Sequence, residues 1–237
     1  HGWCYYDTAV GEPHPGLATN LLPRMLRACR ANRIEAPVYI TVGWNERAAA
    51  RHPGWMCRNP DGTAVNMPPP GKPDDPRPWG WRRLCLNTPY IAFIERIAQE
   101  VVERFQPVGL FFDIVDQPPC HCAACRRGMK ARGLDPADPA QAAAFAASVT
   151  DAYCTRMAKL VWGLAPGTRI FQNGPVKKGR PDLYATLSHY EIESLPTAGW
   201  GYDHFPPNAL YFAAKGVDFL GMTGKFHTSW GDFSSFK

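Results

Sequence analysis

No stretch of this sequence is apolar for long enough to cross a bilayer, so no membrane partner is expected. Lysine and arginine nowhere gather into a basic patch, and the formal net charge of +5 is dispersed. A nucleic-acid partner is therefore not expected. No Gly-X-Gly-X-X-Gly follows the first strand-like run, so the fingerprint of a dinucleotide fold is missing. Neither a Ser/His/Asp nucleophile elbow nor a His-Glu-X-X-His motif occurs, which removes support for esterase and zinc-protease chemistry. No secretory leader is visible, although a mature secreted form would not carry one.

What is present fits a soluble globular protein. Of the 237 residues, 45% are hydrophobic and 20% charged, enough for one large domain or two small ones. Many of the 8 tryptophans fall in loop-like segments, where an indole either packs or stacks on a sugar ring. Helical and strand-like patterns alternate. Residues 17–33 carry an apolar helical stripe at Leu21, Leu22, Met25, Leu26 and Cys29. Residues 38–42 read as a strand. Residues 43–83 are rich in Pro, Gly and Trp and read as a long irregular wall or lid. A helix over 89–105, with Ile91, Ile94, Ile97, Val101 and Val102 on one face, precedes a strand that ends at Asp113. Helices follow after residue 125 and over 140–164, with a short one over 206–214. Strands are expected over 168–172, 188–193 and 218–222.

This βα alternation, without hairpin runs, argues for a parallel sheet covered by helices. Trp44, Asp113, Asn173, Glu193 and His227 fall at strand ends, as active-site residues do in an α/β (β/α)8 TIM-type barrel. Five or six strands are counted instead of eight. The expectation is a single barrel domain over residues 1–237, incomplete in this chain and lacking outer strands.

Strand parity puts Gly109, Phe111 and Asp113 on one face. A carboxylate there suits a nucleophile, a base or a hydroxyl-binding group; the plainer role is to cap loop amides. Asp116 reads as such a loop cap or support. His189, Glu191 and Glu193 share a face by alternation, with the two glutamates about 6.5 to 7 Å apart along the strand. Glu193, nearer the strand end, is the preferred proton donor and Glu191 its substitute. Cys120, Cys122 and Cys125, with Cys85 before the preceding helix, have the spacing of a closed structural zinc site. Buried thiols or a disulfide are the alternative. Cys4, Cys29, Cys57 and Cys154 read as packing residues. The segments His1-Gly-Trp3, His52–Trp55, Trp200–His204 and His227–Asp232 pair histidine with tryptophan, the makings of a polar, aromatic-lined pocket.

These motifs carry a resemblance. His1-Gly-Trp-Cys-Tyr-Tyr-Asp-Thr and Val38-Tyr-Ile-Thr-Val-Gly-Trp-Asn45 resemble the early core of the family 29 α-L-fucosidases. His52-Pro-Gly-Trp55, residues 84–90, Glu193-Ser-Leu-Pro196, residues 200–205 and His227-Thr-Ser-Trp-Gly-Asp232 are similar to a set of hypothetical glycosyl hydrolases related to the family 151 α-fucosidases. The thiol spacing is similar to the zinc site of family 42 β-galactosidases. The resemblance implies a retaining α-L-fucosidase-like hydrolase acting on a carbohydrate, with Asp113 as nucleophile, Glu193 or Glu191 as acid/base, and zinc on Cys85, Cys120, Cys122 and Cys125. His1, Trp3, Trp44, Asn173, His204, His227, Trp230 and Asp232 would then line the sugar site. Family 42 places an Asn-Glu pair at the end of this strand, where the present chain has Asp113-Ile-Val-Asp116. A β-galactosidase-like enzyme is thus the second reading, and a barrel that binds sugar without cleaving it the third. Reduced thiols suit the cytoplasm, while a bound zinc would protect them elsewhere and keeps secretion open. Self-association into a homo-oligomer is left open.

Overall fold

A computed structural model describes residues 2–67, 81–175, 177–196 and 200–224. The elements run β1 (Trp3–Cys4), β2 (Glu12–Pro13), α1 (Leu21–Ala31), β3 (Val38–Thr41), α2 (Glu46–Arg51), β4 (Asn66–Met67), β5 (Trp81–Arg82), α3 (Tyr90–Phe105), β6 (Gly109–Asp113), α4 (Ala123–Ala131), α5 (Pro139–Leu164), β7 (Arg169–Gln172), α6 (Pro181–Tyr184), β8 (Tyr190–Glu193), α7 (Phe205–Ala214) and β9 (Phe219–Met222). The longest helices follow from local chemistry. In α3, Tyr90, Ile94, Ile97, Val101 and Val102 recur at helical spacing and are buried, so burial of one stripe holds it to the sheet. Asp138 starts α5 by accepting from Ala140 N at 2.8 Å, with Pro139 at the first helical position.

Strands β3, β6 and β7 form a parallel sheet in that order, with Thr41 beside Asp113 and Phe112 beside Gln172. Strands β8 and β9 pair in parallel, Glu191 beside Leu220. Ser188 links the two sheets: its N–H donates to Ile170 O at 2.8 Å, and its hydroxyl accepts from Ile170 N at 3.0 Å. Each strand therefore presents two faces. Ile40, Leu110, Phe112, Ile170 and Ile192 are buried, and Phe112 meets Tyr153 of α5 edge-on at 6.3 Å. The other face carries a file of rings, Tyr39–Phe111–Phe171–His189, with centroids 5.7, 4.9 and 4.6 Å apart. Beyond that file, toward the C-terminal strand ends, lie Thr41, Asp113, Asn173 and Glu191.

This is the helix-flanked parallel wall of a barrel-type α/β fold. Among the described residues it comprises five parallel strands plus short accessory pairs, not eight strands in a closed ring. The segment 43–83 departs from expectation. It is not one irregular loop: α2, a helical turn at Pro53–Trp55 and an antiparallel β4–β5 pair lie in it. Asn45 caps α2 by accepting from Ala48 N at 2.9 Å, and Glu46 accepts from Arg82 N at 2.7 Å. Residues 68–80, the proline-rich part, lie outside the described residues.

Candidate functional site

Asp113 closes β6, and its backbone is pinned from β3: its carbonyl accepts from Val42 N at 3.0 Å. Gly43 is required there, because a side-chain carbon on it would sit 2.5 Å from the Ile114 carbonyl oxygen. Ile114 itself has φ +58°, a left-handed conformation that a β-branched residue adopts only under constraint. The chain thus turns sharply after Asp113, and Val115 N returns to Asn173 O at 2.7 Å. The Tyr39 hydroxyl donates to Asp113 Oδ2 at 2.5 Å. Burial raises the Asp113 carboxyl above the usual range, and the Tyr39 hydrogen bond opposes that shift.

On the neighbouring strands, Asn173 is 8% exposed and donates from Nδ2 to Glu193 Oε2 at 2.9 Å. Glu191 is 2% exposed, and among the described residues neither of its carboxyl oxygens has a hydrogen-bond partner. Burial, then the charges of Glu193 and Asp113, push its pKa up to about 8. Asp113, Asn173, Glu191 and Glu193 are therefore brought to one face of the wall. Carboxyl groups with such different surroundings can divide the roles of nucleophile, proton carrier and hydroxyl ligand.

The other expected site residues are placed less uniformly. Trp44 follows β3, stacks on Trp81 at 4.1 Å, and has a buried indole N–H without a partner among the described residues. His204 shares a 2.6 Å hydrogen bond with Ser194, next to Glu193, and meets Trp200 edge-on. Trp3 lies under the Arg47 guanidinium at 4.2 Å and against His14, contacts that are those of a packing residue. His52 stacks on Trp55 at 3.8 Å. Asp116 pairs with Arg83 at 2.6 Å, the supporting role expected of it. His1, His227, Trp230 and Asp232 lie outside the described residues. Tyr39 was not singled out in the sequence. Its alternation with Thr41 on β3 was the available signal, but its reach to Asp113 depends on the β3–β6 register.

The loop after Asp116 gathers four thiols. The sulfurs of Cys85, Cys120, Cys122 and Cys125 lie within 4.8 Å of one another and all four residues are buried. Cys85 and Cys125 are 3.4 Å apart, and Cys85 and Cys122 3.7 Å. Tetrahedral zinc–thiolate bonds of about 2.3 Å set sulfur–sulfur separations of about 3.8 Å, so the residues present fit a metal ion of that kind. Hydrogen bonds from Cys122, Cys125, Cys57 and Cys85 hold Cys120 far below the usual thiol range. All eight cysteines are free thiols, which sets the disulfide alternative aside in this structure. Cys57 is more than a packing residue: it borders Cys120 and Cys85, and Gln117 Nε2 donates to its sulfur at 3.2 Å. No helix among the described residues is long and apolar enough to cross a membrane.

Residues 1–114 match the family described as hypothetical glycosyl hydrolase 6. Among solved structures, α-L-fucosidase isoenzyme 2 from Paenibacillus thiaminolyticus is 39% identical over 99% of this chain, with a TM-score of 0.86. The chain spans 35% of that fucosidase's length. The glycoside hydrolase domain of PgaB (BpsB) from Bordetella bronchiseptica shares the fold at 13% identity and TM-score 0.60, covering 91% of this chain and 66% of that one. A cold-adapted β-galactosidase from Rahnella sp. R3 does so at 14% and 0.56, covering 78% and 33%. No curated protein matches. Over residues 1–114 this chain is thus similar to the hypothetical glycosyl hydrolases, and over nearly its whole length it is similar in sequence and fold to an α-L-fucosidase.

Proposed function

We propose that this chain supplies catalytic residues of a retaining glycoside hydrolase of α-L-fucosidase type. The observation that carries the reading is Asp113: a strand-end carboxylate, held by Tyr39, on the same face as two glutamates of β8. The 39% identity to an α-L-fucosidase supports the sugar class.

In the first step Asp113 attacks the anomeric carbon. The bond to the leaving oxygen breaks as a β8 glutamate, Glu193 or Glu191, gives that oxygen a proton. In the second step the same glutamate takes a proton from water, whose oxygen replaces Asp113 at the anomeric carbon. Retention calls for about 5 to 5.5 Å between the two working carboxyl groups. Trp44, Asn173 and His204 would meet hydroxyls or a ring face near the strand ends, with His1, His227, Trp230 and Asp232 as further proposed contacts. Cys85, Cys120, Cys122 and Cys125 would hold a structural zinc, which braces the loop beyond Asp116 and enters no step.

A β-galactosidase-like activity is the second reading, favoured by the thiol cluster and the shared fold. Assay of the full-length protein on aryl α-L-fucosides and aryl β-galactosides separates the two. Fucoside turnover with retained configuration is expected. Asp113→Asn should abolish turnover and keep sugar binding. A wild-type protein that binds sugar and never cleaves it would point instead to a carbohydrate-binding barrel.

A further inference from the structure

Glu191 and Glu193 lie on one face of β8 in opposite surroundings. Glu193 receives a hydrogen bond from Asn173 at 2.9 Å. Asn173 is itself fixed, since its N–H donates to Phe112 O at 2.9 Å and its carbonyl accepts from Val115 N at 2.7 Å. Among the described residues Glu191 has no donor at either oxygen, and it is 2% exposed. A buried polar atom left unpaired is destabilising, so two on one carboxyl mark a group kept for a ligand or a proton.

Strand levels separate the pair further. The Phe171 and His189 rings are neighbours at 4.6 Å, and two residues further along each strand Asn173 and Glu191 follow on the same face. The pairing of Phe112 with Gln172 sets Asp113 level with Asn173. Glu191 is close enough to feel the charge of Asp113, and Glu193 stands two residues nearer the strand's end.

We infer that Glu191, and not Glu193, carries the proton to the leaving oxygen, while Glu193 binds a sugar hydroxyl. This assignment rests on the glycosidase reading. The Glu191 proton passes to the departing oxygen as Asp113 bonds to the anomeric carbon, and water returns a proton to Glu191 as it displaces Asp113. The ionisable groups that act on Glu191 among the described residues are Glu193 on its own strand and Asp113 on β6; Tyr190 next to it in sequence also feels its charge. From β9 its register partner is the uncharged Leu220. Burial and the two carboxylates together favour the protonated form at neutral pH.

The experiment compares Glu191→Gln with Glu193→Gln in the full-length protein, on an alkyl fucoside and a dinitrophenyl fucoside, with and without azide. For Glu191→Gln, kcat on the alkyl substrate should fall about 1,000-fold. The activated substrate should still load the enzyme, azide should restore turnover as a glycosyl azide, and the basic limb of the pH profile should vanish. Glu193→Gln should mainly raise KM, keep the basic limb and ignore azide. The opposite pattern, or no azide response in Glu191→Gln while wild type is active, overturns the assignment. Should Glu191→Gln fail to fold, Asn173→Ala decides: an unmoved basic limb supports Glu191, and a shifted one gives the proton to Glu193. A wild type inactive on every glycoside would defeat the glycosidase reading itself.

Discussion

As the proposed nucleophile Asp113 would have to be ionised, yet burial pushes its carboxyl the other way. The Tyr39 hydroxyl at 2.5 Å is the main opposing influence. Removing it in Tyr39→Phe should raise the Asp113 pKa further, so the acidic limb of kcat/KM should move to higher pH. An unmoved limb would show that Tyr39 does not tune the nucleophile. Glu191 makes a separate stability prediction. Its folded pKa, about 8, lies above the ordinary glutamate value of 4.5. Its contribution is fully present below pH 4.5 and is lost as pH rises through 8. Thermal melts of Glu191→Gln should therefore gain on wild type steadily across that window, and a constant gap would mean that Glu191 ionises normally. Strand parity alone made Asp113, Glu191 and Glu193 legible in the sequence. Tyr39 was not legible, because its partner is set by register between strands far apart in the chain.

At the scale of elements, the thiol loop is tied to its surroundings by Gln117. That side chain accepts from Leu86 N at 2.8 Å and donates to Cys57 Sγ at 3.2 Å and to Pro118 O at 3.1 Å. The loop that follows the nucleophile strand is thereby joined to the segment that carries Cys85. Elemental analysis should find about one zinc per chain. Cys122→Ser should lose the metal and melt several degrees lower, since about 1 kcal/mol is worth about 2–4 °C at this size. Cys57→Ser should keep the metal, its sulfur lying outside the four. Metal-free wild type with unchanged stability would remove zinc from the account. Cys120-X-Cys-X-X-Cys125 was readable because its ligands are local and the spacing is stringent. Cys57 was not, because it reaches the cluster through the accessory pieces of residues 43–83. Those pieces depend on tertiary ties, such as the Glu46–Arg82 contact, that no sequence period announces. The main helices and strands were readable because each has one buried face, and burial imposes the 3.6- or 2-residue period directly.

Over the whole molecule, the order β3-β6-β7 and the Ser188 link to β8 convert scattered carboxylates into one face. Parallel order follows from βα alternation, but which strand lies beside which follows only from the packed sheet. The likeness to the fucosidase over 99% of this chain, at a TM-score of 0.86, agrees with that arrangement. Everything turns on whether Asp113 bonds to the sugar. The full-length protein should be loaded with an activated 2-deoxy-2-fluoro fucoside, quenched, digested and analysed by mass spectrometry. A fluorofucosyl ester on Asp113, absent in Asp113→Asn, is the expected result. An ester on another carboxylate, or fucoside hydrolysis with inverted configuration and no adduct, would contradict it.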